Sequence, residues 1–90
     1  MPEHKASKAK TEKTLVDRQP LYGDFTITAE ITQELKDVVR QYDGNLSYTQ
    51  KESIDMIFTK IARIVNGDPN HADSWHDIAG YATLAKQRCK

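Results

Sequence analysis

The sequence predicts an all-α fold, a three-helix antiparallel bundle that follows a flexible basic N-terminal tail. Apolar residues recur with helical spacing in three segments of residues 19–90. Gly, Pro and Asn residues separate these segments, as loops between helices require. No stretch alternates apolar and polar residues over the length of a strand. A chain of 90 residues forms a single small domain, and a core of this size favours a homo-oligomer.

Residues 1–18 differ in composition from the rest of the chain. They contain five basic and three acidic residues, and their only aliphatic side chains larger than Ala are Leu15 and Val16. This composition predicts a disordered tail, with residues 19–90 as a single helical domain. Since the formal net charge of the whole chain is zero, that domain carries an excess of acidic groups. A slightly acidic domain argues against direct binding of nucleic acid.

The first helix is expected after a loop at residues 19–25, in which Gly23 can adopt a positive φ. Thr28 is the expected N-cap, and residues 43–45 are the expected end. Its apolar stripe is expected to face the core. The stripe consists of Ile27, Ile31, Leu35 and Val38.

The second helix carries the strongest helical pattern in the chain. Thr49 and Glu52 match a capping box at its start. Gly67 is predicted to end it in the left-handed conformation, and Pro69 prevents its continuation. The third helix is expected to begin between residues 70 and 73 and to reach about residue 88. The wide apolar face of the second helix consists of Ile54, Ile57, Phe58, Ile61, Ile64 and Val65.

Two acidic residues on the third helix mark the candidate site. Asp73 and Asp77 lie one helical turn apart, and apolar residues on an adjoining stripe keep them beside the core. Two stacked carboxylates require a cation, and Lys60 and Arg63 of the second helix are expected to face them. One interpretation is an interhelical ion-pair network that fixes the register of the helices. The other is that Lys60 and Arg63 hold the phosphates of a ligand.

Aromatic side chains on the third helix complete this candidate set. Trp75 is expected to anchor a core or an interface, or to stack on a base if a pocket opens beside it. Tyr81 lies on the same helix. His76 directly precedes Asp77 in the sequence, so on a helix the two side chains diverge by about 100° and no catalytic His–Asp pair is expected. Gly80 in a helix indicates close approach of another helix, in a dimer interface for example.

Metal binding is the less favoured alternative. Zinc is not expected, because His4, His71, His76 and Cys89 do not form a ligand set. A magnesium site would need Glu52 and Asp55 in addition to Asp73 and Asp77. Glu52 is expected to lie about 12–16 Å along the second helix from the part that faces Asp73. No cofactor is therefore the leading expectation, with Mg²⁺ as the alternative.

Three segments carry a resemblance to a known family. They are Tyr-Gly-Asp-Phe at residues 22–25, Lys-Ile-Ala-Arg at residues 60–63, and Asp-Ser-Trp-His-Asp-Ile-Ala-Gly-Tyr-Ala at residues 73–82. Over residues 18–86 the chain resembles a family of small helical proteins, encoded by bacteriophages and prophages, to which no activity is attached. The resemblance implies an accessory protein of an infected or lysogenic bacterial host.

A second and more distant resemblance involves the third helix. The helix carries an acidic residue at Asp73, followed by Asp77, an apolar residue and Tyr81. This pattern is similar to one found in the all-α nucleoside triphosphate pyrophosphohydrolases of the MazG and dimeric dUTPase type. Those enzymes hold Mg²⁺ with a Glu-x-x-Glu pair on the preceding helix. This chain has Lys60 and Arg63 where that pair would lie.

The leading interpretation is an accessory binding protein without catalytic activity, acting on a host or phage protein or on a nucleotide, with countering host defence as one role. A reduced Mg²⁺-dependent pyrophosphohydrolase and a purely structural oligomerisation module are the alternatives. Cys89 has no second cysteine to pair with, which fits a reducing cytoplasm. No apolar run is long enough to span a membrane, so no membrane partner is expected.

Overall fold

A computed structural model of the protein describes residues 21–90. The tail predicted at residues 1–18, which includes His4, lies outside this range. Three helices make up the fold, α1 at Phe25–Arg40, α2 at Tyr48–Asn66 and α3 at Ala72–Gln87, and a 3₁₀ turn at Asp43–Asn45 precedes α2. No strand occurs in residues 21–90, so the all-α three-helix prediction is confirmed.

α2 is the central helix. It packs against both α1 and α3, whereas α1 and α3 have few contacts with each other. The observed bounds of α3 agree with the predicted ones. Within residues 21–90 no helix combines the length and the apolar character needed to cross a membrane.

The start of α1 differs from the prediction. Asp24 rather than Thr28 is its N-cap, because the Asp24 carboxylate accepts hydrogen bonds from the backbone amides of Thr26 and Ile27. An acidic N-cap satisfies two first-turn amides and lies favourably at the positive end of the helix. Thr28 lies inside α1 and is only 7% exposed.

The capping box of α2 is also displaced from the predicted pair, Thr49 and Glu52. It consists of Ser47 and Gln50: the Ser47 hydroxyl accepts from the Gln50 amide, and the Gln50 side chain accepts from the Ser47 amide. The motif is the expected one, moved two residues towards the N-terminus. Ser47 is the N-cap because it is the last residue before the helix and its backbone is extended.

Small and polar side chains fill the closest helix contacts. Thr28, Thr32, Ser53 and Ser74 are each at most 7% exposed, and Ala62 is fully buried. The Thr32 hydroxyl donates to the carbonyl oxygen of Thr28 over 2.8 Å, which satisfies it within its own helix. No large side chain in residues 21–90 is fully buried.

Only part of the apolar stripe of α1 faces the core as predicted. Ile31 and Leu35 are half-buried, whereas Ile27 is 46% exposed and Val38 is 58% exposed. The most deeply buried residues of α1 are Thr28 and Thr32. Their burial is possible because both hydroxyl groups donate hydrogen bonds to nearby backbone carbonyls.

Residues at the end of α2 hold the start of α1. The Asn66 side-chain amide donates to the Asp24 carbonyl over 3.1 Å and to the Thr28 hydroxyl over 3.2 Å. The Asp68 amide donates to the Leu21 carbonyl over 2.8 Å. The two Asn66 bonds join residues 42 and 38 positions apart in the chain.

Two glycines permit this close contact. Gly23 has a φ of +78°, as predicted from its loop position, although Leu21 and Tyr22 beside it are helical. Gly67 has a φ of −116°, so the predicted left-handed conformation is wrong. Gly67 is required for space instead, because a Cβ atom there would meet the carbonyl oxygens of Leu21 and Arg63.

Replacing Gly23 with Ala should therefore destabilise the fold. A Cβ atom at Gly23 would meet the backbone oxygen and side chain of Asn66, in addition to the penalty of a positive φ. We expect Gly23→Ala to lower the free energy of unfolding by about 2 kcal/mol or more, measured by urea unfolding with circular dichroism. Gly44→Ala is the matched control, since nothing lies within 4 Å of a Cβ at Gly44. An equal loss in both variants would contradict this explanation.

Candidate functional site

One ion pair joins α2 to α3. The Lys60 ammonium lies 3.1 Å from the Asp77 carboxylate, and the Lys60 side chain is 13% exposed against 41% for Asp77. Its position, between the last third of α2 and the second turn of α3, is the one expected for the interhelical network. This pair neutralises the charge of Lys60 and leaves Asp77 with a resident cation.

The other predicted members of the network point elsewhere. The Asp73 side chain is 81% exposed, and its partner is the imidazole of His71 at 3.9 Å, an ion pair only when His71 is protonated. Asp73 and Asp77 thus share no cation in residues 21–90. Arg63 forms no ion pair with any carboxylate in this range, because it is turned towards α1 instead of α3.

Arg63 stacks on an aromatic ring that sequence reasoning did not assign to the site. Its guanidinium carbon lies 4.7 Å from the centroid of the Tyr22 ring, within the range of a cation–π interaction. The Tyr22 ring meets the His71 ring edge-to-face at 5.5 Å, and the Tyr22 hydroxyl and His71 Nε2 share a 3.4 Å hydrogen bond. The His71 side chain is therefore only 21% exposed.

A groove of about 610 Å³ lies between α1 and α2, beside this cluster. Arg63 and Thr59 line it from α2, and Lys36 and Phe25 line it from α1. Like Arg63, Lys36 forms no ion pair within residues 21–90. The groove therefore brings together two cations that no described carboxylate neutralises.

The hydroxyl groups along the groove are already engaged as donors. Thr28 donates to the carbonyl of Tyr22, Thr32 to that of Thr28, and Thr59 to that of Asp55. The side-chain donors that remain for an incoming group are the Lys36 amino group, the Arg63 guanidinium group and the Gln33 amide. Such donors suit an anion.

A second concave surface, of about 600 Å³, is formed by α3 around Gly80 and is lined in part by Asp77 and Tyr81. Nothing lies within 4 Å of a Cβ built at Gly80, so the described residues do not provide the close helix contact expected there. Trp75 lines neither this surface nor the groove. It is 55% exposed, and its indole N–H donates to the Pro69 carbonyl over 2.8 Å.

The residues considered for Mg²⁺ do not come together. In the part of the chain that the structure describes, no three His, Cys, Asp or Glu side chains form a group that could hold a metal ion. Glu52 and Asp55 therefore do not join Asp73 and Asp77 in such a group. The arrangement offers cationic binding in the groove and a neutral ion pair beside α3.

Comparison with known proteins gives one match. A family model described as a domain of unknown function (DUF6378) matches residues 7–89, which is nearly the whole chain. No curated protein matches the sequence significantly, and neither does any solved structure.

The Lys60–Asp77 pair should contribute measurably to stability because Lys60 is largely buried. In a double-mutant cycle of Lys60→Met and Asp77→Asn, we expect a coupling energy of about 1 kcal/mol, between typical exposed and buried pairs. The same cycle on Arg40 and Asp37, whose side chains are 56% and 67% exposed, should give less than about 0.5 kcal/mol. Urea unfolding measures both, and equal coupling energies would contradict a special role for burial at Lys60.

Proposed function

The chain belongs to the DUF6378 family, and we propose that it is a binding protein without catalytic activity that holds a nucleotide by its phosphates in the groove between α1 and α2. The observation that carries this proposal is the pair of cations, Arg63 and Lys36, that line the groove without a carboxylate partner in residues 21–90.

Charge distribution favours Arg63 over Lys60 as the phosphate ligand. Lys60 is already paired with Asp77, so an incoming anion would have to compete with a resident carboxylate. The Arg63 guanidinium carbon lies over the Tyr22 ring, and Arg63 forms no ion pair in residues 21–90, so its N–H groups are available to an anion. A planar fork of N–H donors matches two phosphate oxygens at once.

The dimensions of the groove support a nucleotide rather than phosphate alone. A volume of about 610 Å³ is within the range of small-molecule sites in proteins, about 300–1,000 Å³. Phe25, 79% exposed, lines the same groove and offers a ring on which a base can stack. The two cations and the Phe25 ring thus give the phosphates and the base separate contacts in the same groove.

The position of the aspartates favours binding over hydrolysis. To hold Mg²⁺ in the manner of a pyrophosphohydrolase, Asp77 would have to release Lys60, and Asp73 would have to turn away from His71. Two carboxylates are also fewer than the three or more that typically balance the positive charge of two metal ions bridging a triphosphate. A reduced Mg²⁺-dependent pyrophosphohydrolase is therefore the second candidate.

The phage resemblance of residues 73–82 provides the biological setting of the proposal. A nucleotide-binding accessory protein in the cytoplasm of an infected or lysogenic bacterium can sense or sequester nucleotides. Both roles would serve nucleotide metabolism or the countering of a nucleotide-dependent host defence.

Thermal unfolding of the purified protein with nucleotides tests the proposal. We expect a nucleoside triphosphate to stabilise the protein without Mg²⁺, by about 2.7 kcal/mol at 100 times its dissociation constant. Arg63→Ala and Lys36→Ala should each lose most of this stabilisation. Lys86→Ala is the matched control, because it removes an exposed cation on α3 that does not line the groove. Inorganic triphosphate, tested alone, separates phosphate binding from recognition of the base.

Two results would reject nucleotide binding in the groove. Stabilisation that requires Mg²⁺ and is lost in Asp77→Asn would favour the hydrolase. No stabilisation by any nucleotide would favour a protein partner or a purely structural module.

A further inference from the structure

We propose that two copies of the chain associate through an apolar face that extends over all three helices, on the side of α2 opposite the groove. We define this apolar face by six residues, two from α1, three from α2 and one from α3. They are Ile27, Val38, Phe58, Ile61, Val65 and Trp75. The inference does not depend on the proposed nucleotide.

Helical spacing places the apolar face opposite the groove. Side chains two residues apart on a helix point about 160° apart. Val38 follows the groove residue Lys36 by two positions, and Val65 follows Arg63 by two, so both point away from the groove. Because α1 and α3 have few contacts with each other, the three helices form an open layer with two accessible sides.

The third helix extends the apolar face by the same reasoning. Trp75 precedes Asp77 by two positions, and Asp77 is turned towards Lys60 of α2. Trp75 thus lies on the other side of the α2–α3 contact from this ion pair. Its indole N–H is satisfied by the Pro69 carbonyl, so the ring can be covered without leaving a buried donor unpaired.

Exposure along this face is high for residues of its type. Ile27, Val38, Val65 and Trp75 are 46%, 58%, 68% and 55% exposed. Only Ala62 and Ile64 are buried apolar residues in the described range. Phe58 and Ile61 between them are half-buried. An exposed apolar patch is typical of an interaction surface, and here it contains half of the large apolar residues that the sequence pattern assigned to the first two helices.

The side of the molecule that carries the apolar face is large enough for a dimer interface. A helix of 16 residues is about 24 Å long, and three helices with axes about 8–10 Å apart give a width of about 25 Å. This whole side therefore measures about 600 Å² in projection, and two such sides together exceed the roughly 1,000 Å² that a specific interface requires.

Two features favour a second copy over the other occupants. Residues 1–20 contain Met1, Leu15 and Val16 as their only large apolar side chains, which is too few to cover a face on three helices. The formal net charge of the chain is zero, so copies do not repel each other at long range.

Analytical ultracentrifugation of the full chain tests the inference. We expect the wild-type protein to sediment as a dimer at micromolar concentration, and Val38→Lys and Val65→Lys to sediment as monomers. Lys is a better helix former than Val, so a loss of association would not come from weaker helices. Leu84→Lys is the matched control: Leu84 is a 43% exposed apolar residue beside Asp77 in the α3 concave surface, and this variant should remain a dimer.

Trp75 provides an independent measurement, because it is the sole tryptophan of the chain. On dilution of the wild type, its emission should shift to longer wavelength as the dimer dissociates, and acrylamide quenching should increase. The melting temperature of the wild type should also rise with protein concentration. This dependence holds even if the Lys variants fail to fold.

Three outcomes would overturn the inference. The first is a wild-type monomer whose melting temperature is independent of concentration. The second is a dimer that Leu84→Lys disrupts while the two Val variants do not, which would place the interface at the α3 concave surface. The third is a monomer that dimerises only after residues 1–20 are removed, which would identify that segment as the occupant.

Discussion

The side chain of Asn66 determines how the first two helices fit together. Its amide group donates to the carbonyl of Asp24 and to the hydroxyl of Thr28, and Thr28 in turn donates to the carbonyl of Tyr22. This chain of hydrogen bonds turns the threonine side of α1 towards α2. Once that rotation is set, Lys36 and Phe25 fall on the groove side, and Ile27 and Val38 fall on the opposite side.

The same constraint separates the charges of α2. Lys60 and Arg63 are neighbours on one helix, yet they have different partners. Lys60 lies against α3 and is neutralised by Asp77. Arg63 lies against the start of α1 and meets the Tyr22 ring, which carries no formal charge. One cation therefore contributes to helix packing, and the other retains its capacity to attract an anion.

The sequence was sufficient to predict the three helices and their approximate ends. It placed Lys60, Arg63, Asp73 and Asp77 in one candidate set without deciding which cation meets which carboxylate. Periodicity of apolar residues predicts helices well because burial on one face has a fixed spacing. It did not predict that Thr28 and Thr32 are the most deeply buried residues of α1, however. Their hydroxyls donate to nearby carbonyls, and the distant Asn66 amide donates to the Thr28 hydroxyl, a contact that no local pattern indicates. The caps were misplaced by a few residues for a similar reason, as several polar residues near each helix start are chemically able to serve.

Most of the groove could not be predicted from the sequence. Tyr22 and His71 are 49 residues apart, and no local pattern indicates that their rings meet. In the sequence, Lys36 cannot be distinguished from an ordinary surface lysine, because the packing of the helices determines whether a carboxylate lies close enough to pair with it. A signal was present in the Tyr22–Gly23 pair: a residue able to adopt positive φ beside an aromatic ring indicates a tight docking contact.

The central position of α2 restricts how the two ends of the molecule can communicate. α1 and α3 have few contacts with each other, so any free-energy coupling between them has to pass through α2. A small rotation of α2 would move Arg63 and Lys60 together, because both are fixed to the same backbone. In such an arrangement the occupancy of one side of the molecule can alter the other by a single rigid-body movement, without a network of intermediate side chains.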